Sequence, residues 1–304
     1  YFMKRFLTVL FLLILATGLV FAGGQGEEKS IRVGSKNFTE QYIISEIMAM
    51  LLEDNGFDVS RDFGMSTTVV RNALTTNQID MYAEYTGTAW ATFLGQEQPI
   101  NDPDRLFEEV AEMDQENNIE WLFKMDINNT YAMAVPTDFA EQHNLETLED
   151  LADLVNENPG EYTFAIDFEF YERADGFFAM ADHYGMDIPK DAQNVKTMEI
   201  GLSYEAVDQG DVDIAMVFAT DGKIKKFDMV VLEDNKQFFP VYSLCPTMHE
   251  DAYAMYPEVE DILLPLQDLL DETTMIDLNY QVDAQGMEPE EVAEQFLMDN
   301  GLIE

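Results

Sequence analysis

The stretch Asp80-Met81-Tyr82-Ala83-Glu84-Tyr85-Thr86-Gly87-Thr88 decides the fold, because the chain contains a second version of it. A shift of 133 residues aligns it with Asp213-Ile214-Ala215-Met216-Val217-Phe218-Ala219-Thr220, so that Asp80 matches Asp213 and Tyr85 matches Phe218. Each copy predicts the end of a helix, a turn, a strand of about five residues, and an aromatic side chain where the strand ends. Two such halves predict two similar lobes that face one cleft.

Short strands alternate with helical patterns along the rest of the chain. Residues 31–34 are a predicted strand, an apolar stripe of helical period follows over 41–52, and further strands are predicted at 162–166 and 229–232. This alternation predicts an α/β fold with largely parallel sheets, in which ligands bind at the carboxyl ends of the strands. The tail is predicted to form two helices, over 258–273 and 289–297.

The chain is predicted to pass between the lobes twice. The first crossing precedes the apolar strand 132–136, and the second lies at 239–242. We therefore assign residues 31–130 and 239–304 to the first lobe, and residues 131–238 to the second lobe.

The first 22 residues have the pattern of a secretory signal peptide. Lys4 and Arg5 precede an almost wholly apolar run at 6–15, and Val20-Phe21-Ala22 provides small or apolar residues where a signal peptidase cleaves. A membrane anchor is the alternative, but the apolar run is short for a span of about 20 residues. We expect cleavage after Ala22, a flexible tether at 23–30, and a periplasmic protein without a lipoprotein cysteine.

The charge of the chain excludes one class of partner. It has 60 acidic residues against 16 basic ones, and a nucleic-acid phosphate backbone requires a basic surface. An acidic surface keeps a protein soluble, and salt screens its self-repulsion, so the composition favours a saline habitat. A specific role in cation binding is less favoured, because the acidic residues are spread along the whole chain.

Several kinds of chemistry are absent from the sequence. The three histidines, His143, His183 and His249, do not stand at metal-ligand spacing, so we expect no metal and no cofactor. The stretch 201–205 fails the Gly-x-Ser-x-Gly pattern of α/β hydrolases at its last position, and no phosphate-binding glycine loop occurs. Cys245 is the single cysteine, which excludes an internal disulfide. The recognisable chemistry is that of binding rather than of catalysis.

Seven motifs follow one another along the chain, and together they resemble those of a known family. They are Gly34–Gln41, Glu84–Thr88, Asn129–Ala132, Glu169–Gly176, Thr220–Gly222, Phe239–Tyr242 and Leu278–Val282. In this combination the chain resembles the extracytoplasmic binding proteins of osmoprotectant ABC importers, which take up glycine betaine, choline, carnitine or proline betaine. The resemblance covers about residues 30–304. It implies the two-lobed, hinge-closing type II fold of periplasmic binding proteins, in a monomer that delivers its ligand to a permease and an ATPase.

The resemblance also implies a ligand site between the lobes. A trimethylammonium group has no N–H to donate, so aromatic ring faces select it, and each contact contributes roughly 0.5–2 kcal/mol. The implied aromatic box is Tyr85, Tyr131, Phe218 and Tyr242. The implied carboxylate clamp is Lys36, Arg173 and Thr88, with Asn129 beside the cation. The chain departs from the family at two of these positions, because Phe218 often is tyrosine and Asn129 often is aspartate.

The resemblance leaves the ligand and the output open. Choline has no carboxylate and would leave Lys36 and Arg173 idle, so we favour glycine betaine or proline betaine over choline or carnitine. An exported enzyme acting on quaternary amines is the alternative from another class, although no nucleophile–base pair supports it. A sensor that presents its ligand to a receptor would share the same site.

Overall fold

The computed structural model describes residues 29–96, 98–239 and 241–303. The predicted signal peptide and most of the predicted tether lie outside these residues. Ten strands are present: β1 (Lys29–Lys36), β2 (Phe57–Met65), β3 (Met81–Tyr85), β4 (Ile119–Trp121), β5 (Tyr131–Pro136), β6 (Phe164–Ile166), β7 (Val195–Thr197), β8 (Ile214–Phe218), β9 (Met229–Val231) and β10 (Leu244–His249). The first strand begins at Lys29, two residues before the predicted start.

Helices connect these strands and form the tail of the chain. They are α1 (Thr39–Asp54), α2 (Thr67–Thr75), α3 (Pro103–Asp114), α4 (Thr137–His143), α5 (Leu148–Glu157), α6 (Phe168–Glu172), α7 (Phe177–Tyr184), α8 (Ile200–Asp208), α9 (Lys223–Lys226), α10 (Glu250–Met255), α11 (Glu258–Leu263), α12 (Leu266–Leu269), α13 (Glu272–Asp283) and α14 (Pro289–Asp299). A short helix at Thr86–Thr88 continues as a π-helix over Ala89–Phe93. No helix in the described ranges is both long and apolar enough to cross a membrane.

The two sheets have the same topology, as the repeated sequence predicts. The first sheet has the order β2-β1-β3-β10-β4, and the second has the order β7-β6-β8-β5-β9. The repeated strands β3 and β8 therefore take the same central place. Their leading aspartates also have the same role, because Asp80 accepts the backbone N–H of Arg32 at 2.6 Å and Asp213 accepts that of Thr163 at 2.7 Å. The repeated sequence therefore marks the same strand in two lobes that have the same topology.

The expectation of largely parallel sheets is wrong in part. In each sheet two strand pairs are parallel and two are antiparallel, because β10 in the first sheet and β5 in the second run antiparallel to both of their neighbours. Each of these two strands follows a passage between the lobes. The first passage lies between β4 and β5 and the second between β9 and β10.

Two parts of the tail differ from the sequence prediction. Strand β10 was not predicted, because Pro246 interrupts its apolar pattern. The single helix predicted at 258–273 is instead two short helices, α11 and α12, with Pro265 at the N-cap of the second. A further helix, α13, begins after Asp271, whose carboxylate accepts the N–H of Thr274 at 2.7 Å. This missed helix faces the second lobe and carries residues of the site.

The core of the first lobe holds helix α1 against the sheet and beside the ends of its strands. Helix α1 packs against β1, β2 and α14, and its apolar stripe, which includes Ile43, Ile47 and Leu51, is buried. Full burial of each such side chain stabilises the fold by roughly 1.5–3 kcal/mol. The first turn of α1, with Glu40 and Gln41, is also buried, but there the surroundings are polar. It lies beside the carboxyl ends of β1 and β3.

Candidate functional site

A cavity of about 220 Å³ lies between the two sheets. It is lined from the first lobe by the end of β1, by the end of β3 with the short helix that follows, and by Tyr242, just before β10. It is lined from the second lobe by the start of β5, the end of β8 and the N-terminus of α6. Seven of the eight predicted site residues line this cavity: Lys36, Tyr85, Thr88, Asn129, Tyr131, Phe218 and Tyr242.

The four predicted aromatic rings converge on this cavity. The ring centroid of Tyr131 lies 5.2 Å from that of Phe218 and 5.6 Å from that of Tyr242. Tyr85 reaches this group through Phe38, whose ring centroid lies 6.3 Å from Tyr85 and 5.2 Å from Phe218. Phe38 also lines the cavity, so the structure adds a fifth ring that the sequence reasoning missed. Its position in the turn directly after β1, inside the first of the seven motifs, was the available signal.

Packing behind the rings fixes their positions. Phe170 stacks on Tyr131 with 4.7 Å between centroids and 12° between planes. Tyr85, Tyr131 and Tyr242 are each less than one-tenth exposed, and burial raises the pKa of each phenol above its usual value. The phenols therefore stay neutral at physiological pH, and the cavity presents uncharged ring faces to a ligand.

Lys36 lies in the cavity wall as half of a buried ion pair. Its side chain is 3% exposed, and Nζ lies 2.5 Å from Oε1 of Glu84, which is fully buried. The same ammonium is 4.9 Å from the ring centroid of Tyr85. Glu84 also accepts the hydroxyl of Tyr82 at 2.7 Å and the backbone N–H of Tyr85 at 2.6 Å. The carboxylate neutralises Lys36, so a ligand cation near Tyr85 does not meet an uncompensated positive charge.

Arg173 is the one predicted site residue that does not line the cavity. Its Nε and Nη2 atoms donate to the two carboxylate oxygens of Asp175, at 3.0 and 2.5 Å. Its Nη1 donates to the hydroxyl of Tyr131 at 3.1 Å, and the guanidinium carbon lies 5.3 Å from the centroid of that ring. In this conformation Arg173 supports Tyr131 from behind. The prediction that it binds a ligand carboxylate stays a prediction.

Asn129 and Thr88 complete the predicted set. Thr88 lines the cavity from the short helix after β3 and is 4% exposed. Asn129 lies in the segment that leads into β5, and its Nδ2 donates to Oε1 of Glu40 at 2.9 Å. Asparagine at position 129 thus provides a donor to a neighbouring carboxylate, whereas an aspartate at this position would repel it.

Glu40 is the second residue that the sequence reasoning missed. It is 2% exposed, and its carboxylate accepts hydrogen bonds from the hydroxyls of Tyr85 and Thr220, both at 2.6 Å. Burial raises its pKa, while these hydrogen bonds oppose the rise. An acidic residue in the first turn of a helix is ordinarily explained by the helix dipole, so the sequence alone gave no reason to place Glu40 in the site.

A second compartment of about 290 Å³ adjoins the first. The two share Asn37, Phe38, Asn129 and Phe218 among their lining residues, so they form one continuous cleft. The second compartment is rich in acceptors, which come from α1, from the loop after β8 and from α13. They include Glu40, Asp221, Asn279 and Asp283. Across the described ranges, no group of three or more histidine, cysteine, aspartate or glutamate residues is arranged to hold a metal ion.

Comparison with known proteins gives consistent matches over nearly the whole chain. A family model described as the substrate binding domain of ABC-type glycine betaine transport system matches residues 29–299. The glycine-betaine-binding protein of Pseudomonas aeruginosa is 33% identical, over 96% of this chain and 94% of that protein. The ergothioneine transport permease/ergothioneine binding protein of Helicobacter pylori is 34% identical, over 97% of this chain and 52% of that protein.

Solved structures agree with these matches. The crystal structure of a glycine betaine/carnitine/choline ABC transporter is 28% identical, with a TM-score of 0.72 over 90% of this chain and 100% of that chain. The apo form of a related protein from Escherichia coli, YehZ, is 30% identical, with a TM-score of 0.66 over 91% of this chain and 100% of that chain. The predicted fold, a two-lobed α/β binding protein of type II, is confirmed.

Proposed function

The chain belongs to the family of substrate-binding domains of ABC-type glycine betaine transport systems, and we propose that it captures a quaternary ammonium osmolyte for an importer. The observation that carries this proposal is the convergence of Tyr85, Tyr131, Phe218 and Tyr242, with Phe38, on one cavity between the lobes. Ring faces attract a trimethylammonium group, and several rings together exclude the water that would otherwise solvate it. No hydrogen-bond acceptor can make the same selection.

We favour a betaine, which also carries a carboxylate, as the ligand. Lys36 and Thr88 lie in the cavity wall, where an ammonium and a hydroxyl could both donate to a carboxylate. Two relatives support this class, because glycine betaine and ergothioneine each combine a trimethylammonium with a carboxylate. Arg173 would join this clamp only after its guanidinium leaves Asp175. Glycine betaine and proline betaine are therefore the first candidates.

Choline is the second candidate, and a specific observation favours it. Both predicted clamp cations are already paired, Lys36 with Glu84 and Arg173 with Asp175. The cavity wall also carries the acidic residues Asp167, Glu169 and Glu199. A ligand with a net positive charge would suit such surroundings better than a zwitterion would. The two candidates differ in whether the ligand has a carboxylate, which makes them separable by titration.

The proposed cycle involves binding and closure but no covalent step. The ligand selects the closed arrangement of the lobes, because only that arrangement brings the rings of both lobes around it. Phe168, at the N-terminus of α6, lines the cavity and is 55% exposed, so further closure would bury it. We propose that the exported monomer then docks on a permease with its ATPase. Neighbouring genes for these two proteins would separate import from sensing.

Calorimetric titration with glycine betaine, proline betaine and choline tests the proposal. We expect saturable binding of at least one betaine, and a loss of roughly two- to thirtyfold in affinity for Tyr85→Ala, because one ring contact contributes roughly 0.5–2 kcal/mol. Tyr253→Ala is the control, since this tyrosine lies on α10 and is not part of the cavity wall. Binding of choline alone would mean that choline, not a betaine, is the ligand. Formation of a product from any of these compounds would mean that the protein is an enzyme and not only a binding protein.

A further inference from the structure

Glu40 joins four separate parts of the molecule through one buried carboxylate. Oε1 accepts from the hydroxyl of Tyr85 at 2.6 Å and from Nδ2 of Asn129 at 2.9 Å. Oε2 accepts from the hydroxyl of Thr220 at 2.6 Å and from Nδ2 of Asn279 at 3.4 Å. Tyr85 is the last residue of β3, and Asn129 lies in the passage between the lobes. Thr220 lies in the loop after β8 in the second lobe, and Asn279 lies on α13. No other side chain in the described ranges links both lobes to a ring of the cavity in this way.

The direction of these hydrogen bonds indicates that Glu40 acts as a negative charge. Gln41 donates through Nε2 to the oxygen of Tyr85 at 3.2 Å, so the phenol's own proton is left for Glu40. The amides of Asn129 and Asn279 both turn Nδ2 toward Glu40, although this leaves their Oδ1 atoms buried without a partner in the described residues. Four donors that all point to one carboxylate stabilise its ionised form.

The contact between Thr220 and Glu40 is part of a close approach between the lobes. Asn279 also donates to the backbone oxygen of Thr220 at 3.0 Å. Two residues further on, a Cβ added to Gly222 would lie 2.5 Å from the backbone of Tyr280, so the loop of the second lobe lies directly against α13. Glu40 is therefore held between a ring of the ligand cavity and the surface on which the second lobe rests.

We propose that Glu40 is a positioning residue that couples the ring of Tyr85 to the contact between the lobes. A phenol that donates to a carboxylate gains electron density, because hydrogen-bonded groups polarise one another in a dry interior. The face of Tyr85 then attracts a cation more strongly. The same carboxylate holds Thr220, so the arrangement that strengthens the ring also holds the second lobe in place. This inference rests on the proposed function, because it concerns the cation of the bound ligand.

A double-mutant cycle tests the inference on the full chain. Affinities for glycine betaine and choline are measured by calorimetry for the unmutated protein, Glu40→Gln, Tyr85→Phe and the double variant. We expect each single variant to bind about tenfold more weakly, and the double variant to bind no more weakly than Glu40→Gln alone, since the contact that Tyr85→Phe removes is one of those that Glu40→Gln already alters. Glu53→Gln is the matched control, because Glu53 lies exposed on the same helix and pairs with Arg61.

A second comparison separates the electrostatic role from a role in shape alone. The neutral analogue of choline, 3,3-dimethyl-1-butanol, is measured by competition against choline. We expect Glu40→Gln to weaken choline about tenfold and the neutral analogue less than twofold. An equal loss for both compounds would overturn the inference, because Glu40 would then only preserve the cavity.

The remaining outcomes are also decisive. If Glu40→Gln does not fold, Tyr85→Phe and Thr220→Val form the cycle instead, and we expect their effects not to multiply, because both hydroxyls donate to this carboxylate. Losses that multiply in either cycle would overturn the coupling while leaving the proposed function intact. If the unmutated protein binds no quaternary ammonium compound, the proposed function fails, and this inference fails with it.

Discussion

The ring of Tyr242 lies directly against Gly87. A Cβ added at position 87 would be 2.7 Å from Cδ1 of Tyr242 and 2.9 Å from the backbone oxygen of Val241. Real Cβ atoms do not approach other carbon atoms so closely, so only glycine permits this contact. The relationship shows how the repeated stretch at 80–88 serves the site. Its strand ends in Tyr85, and its glycine determines how near the ring of Tyr242 can come.

The first prediction concerns this contact. We expect Gly87→Ala to displace Tyr242 and to weaken binding of the quaternary ammonium ligand roughly two- to thirtyfold, through the loss of one ring from the box. Calorimetry measures the affinity, and circular dichroism checks that the variant is folded. In the Tyr242→Ala background, the same change should cause little further loss, because the ring that it displaces is already absent. A full additional loss there would contradict this explanation.

The second prediction concerns Arg173. Its guanidinium donates to the hydroxyl of Tyr131 and pairs with Asp175, behind the cavity. We expect Arg173→Met to weaken glycine betaine and choline by similar factors, about three- to tenfold, because the variant releases a ring that both ligands contact. Parallel titrations with the two ligands measure this. A loss confined to glycine betaine would instead place Arg173 in the carboxylate clamp that the sequence predicts.

The third prediction concerns the pH dependence of stability. Asp221 faces Asp283 across the cleft, and burial together with that neighbouring carboxylate raises its pKa from 3.8 to about 7. The folded protein thus binds an additional proton between these values. The stabilising contribution is complete below the unfolded pKa, and it is lost as the pH rises through about 7. Urea unfolding at several pH values between about 5 and 8 should show this decline.

Substitution of Asp221 tests the origin of that decline. Asn cannot ionise and can still accept the hydroxyl of Tyr204, which lies 2.5 Å from Oδ2 of Asp221. We expect Asp221→Asn to reduce the loss of stability between about pH 5 and pH 7, whereas Asp58→Asn, at an exposed position of β2, should leave the profile unchanged. An unaltered profile in Asp221→Asn would assign the decline to other carboxylates.

The fourth prediction concerns a buried ion pair in the first lobe. Arg71 of α2 pairs with Asp114 of α3, which is fully buried and also accepts the indole N–H of Trp121 at 2.8 Å. We expect Asp114→Asn to lower the free energy of unfolding by about 3–5 kcal/mol, because Arg71 would remain buried without a counter-charge. The control is Glu258→Gln, which breaks the exposed pair with Lys29 and should change it by about 0–1 kcal/mol. Urea unfolding measures both, and equal effects would refute the argument from burial.

Much of the fold could be predicted from the sequence because it follows from local patterns. The alternation of strands and helices, the repeat of Asp80–Thr88 at Asp213–Thr220, and the exit of each central strand on an aromatic residue were all readable. Strand β10 was not, because Pro246 weakens its pattern and its place in the sheet depends on pairing with β3 and β4. Helix α13 was missed because its sequence is largely polar and it begins where the predicted helix 258–273 ends.

The site was predicted in outline and only partly in its contacts. Residue types and motifs predicted that the four rings share one site. Phe38 and Glu40 lie inside one of the same motifs, but they were not predicted as site residues. The ion pair of Lys36 with Glu84 joins positions that are 48 residues apart, and no local pattern shows it. Its presence means that Lys36, predicted as a cation of the carboxylate clamp, already has a counter-charge.

The sequence by itself determined the class of fold, the order of most elements and the residue types that line the cavity, because these depend on periodicity and on side-chain chemistry. Only the tertiary structure decided which buried charges are paired and which residue connects the lobes. Glu40 and Thr220 are 180 residues apart, and their hydrogen bond exists because two distinct sheets place α1 and the loop after β8 on opposite sides of one cleft. Burial makes this hydrogen bond important for stability, because an ionised carboxylate that is shielded from water must accept hydrogen bonds from neighbouring protein groups.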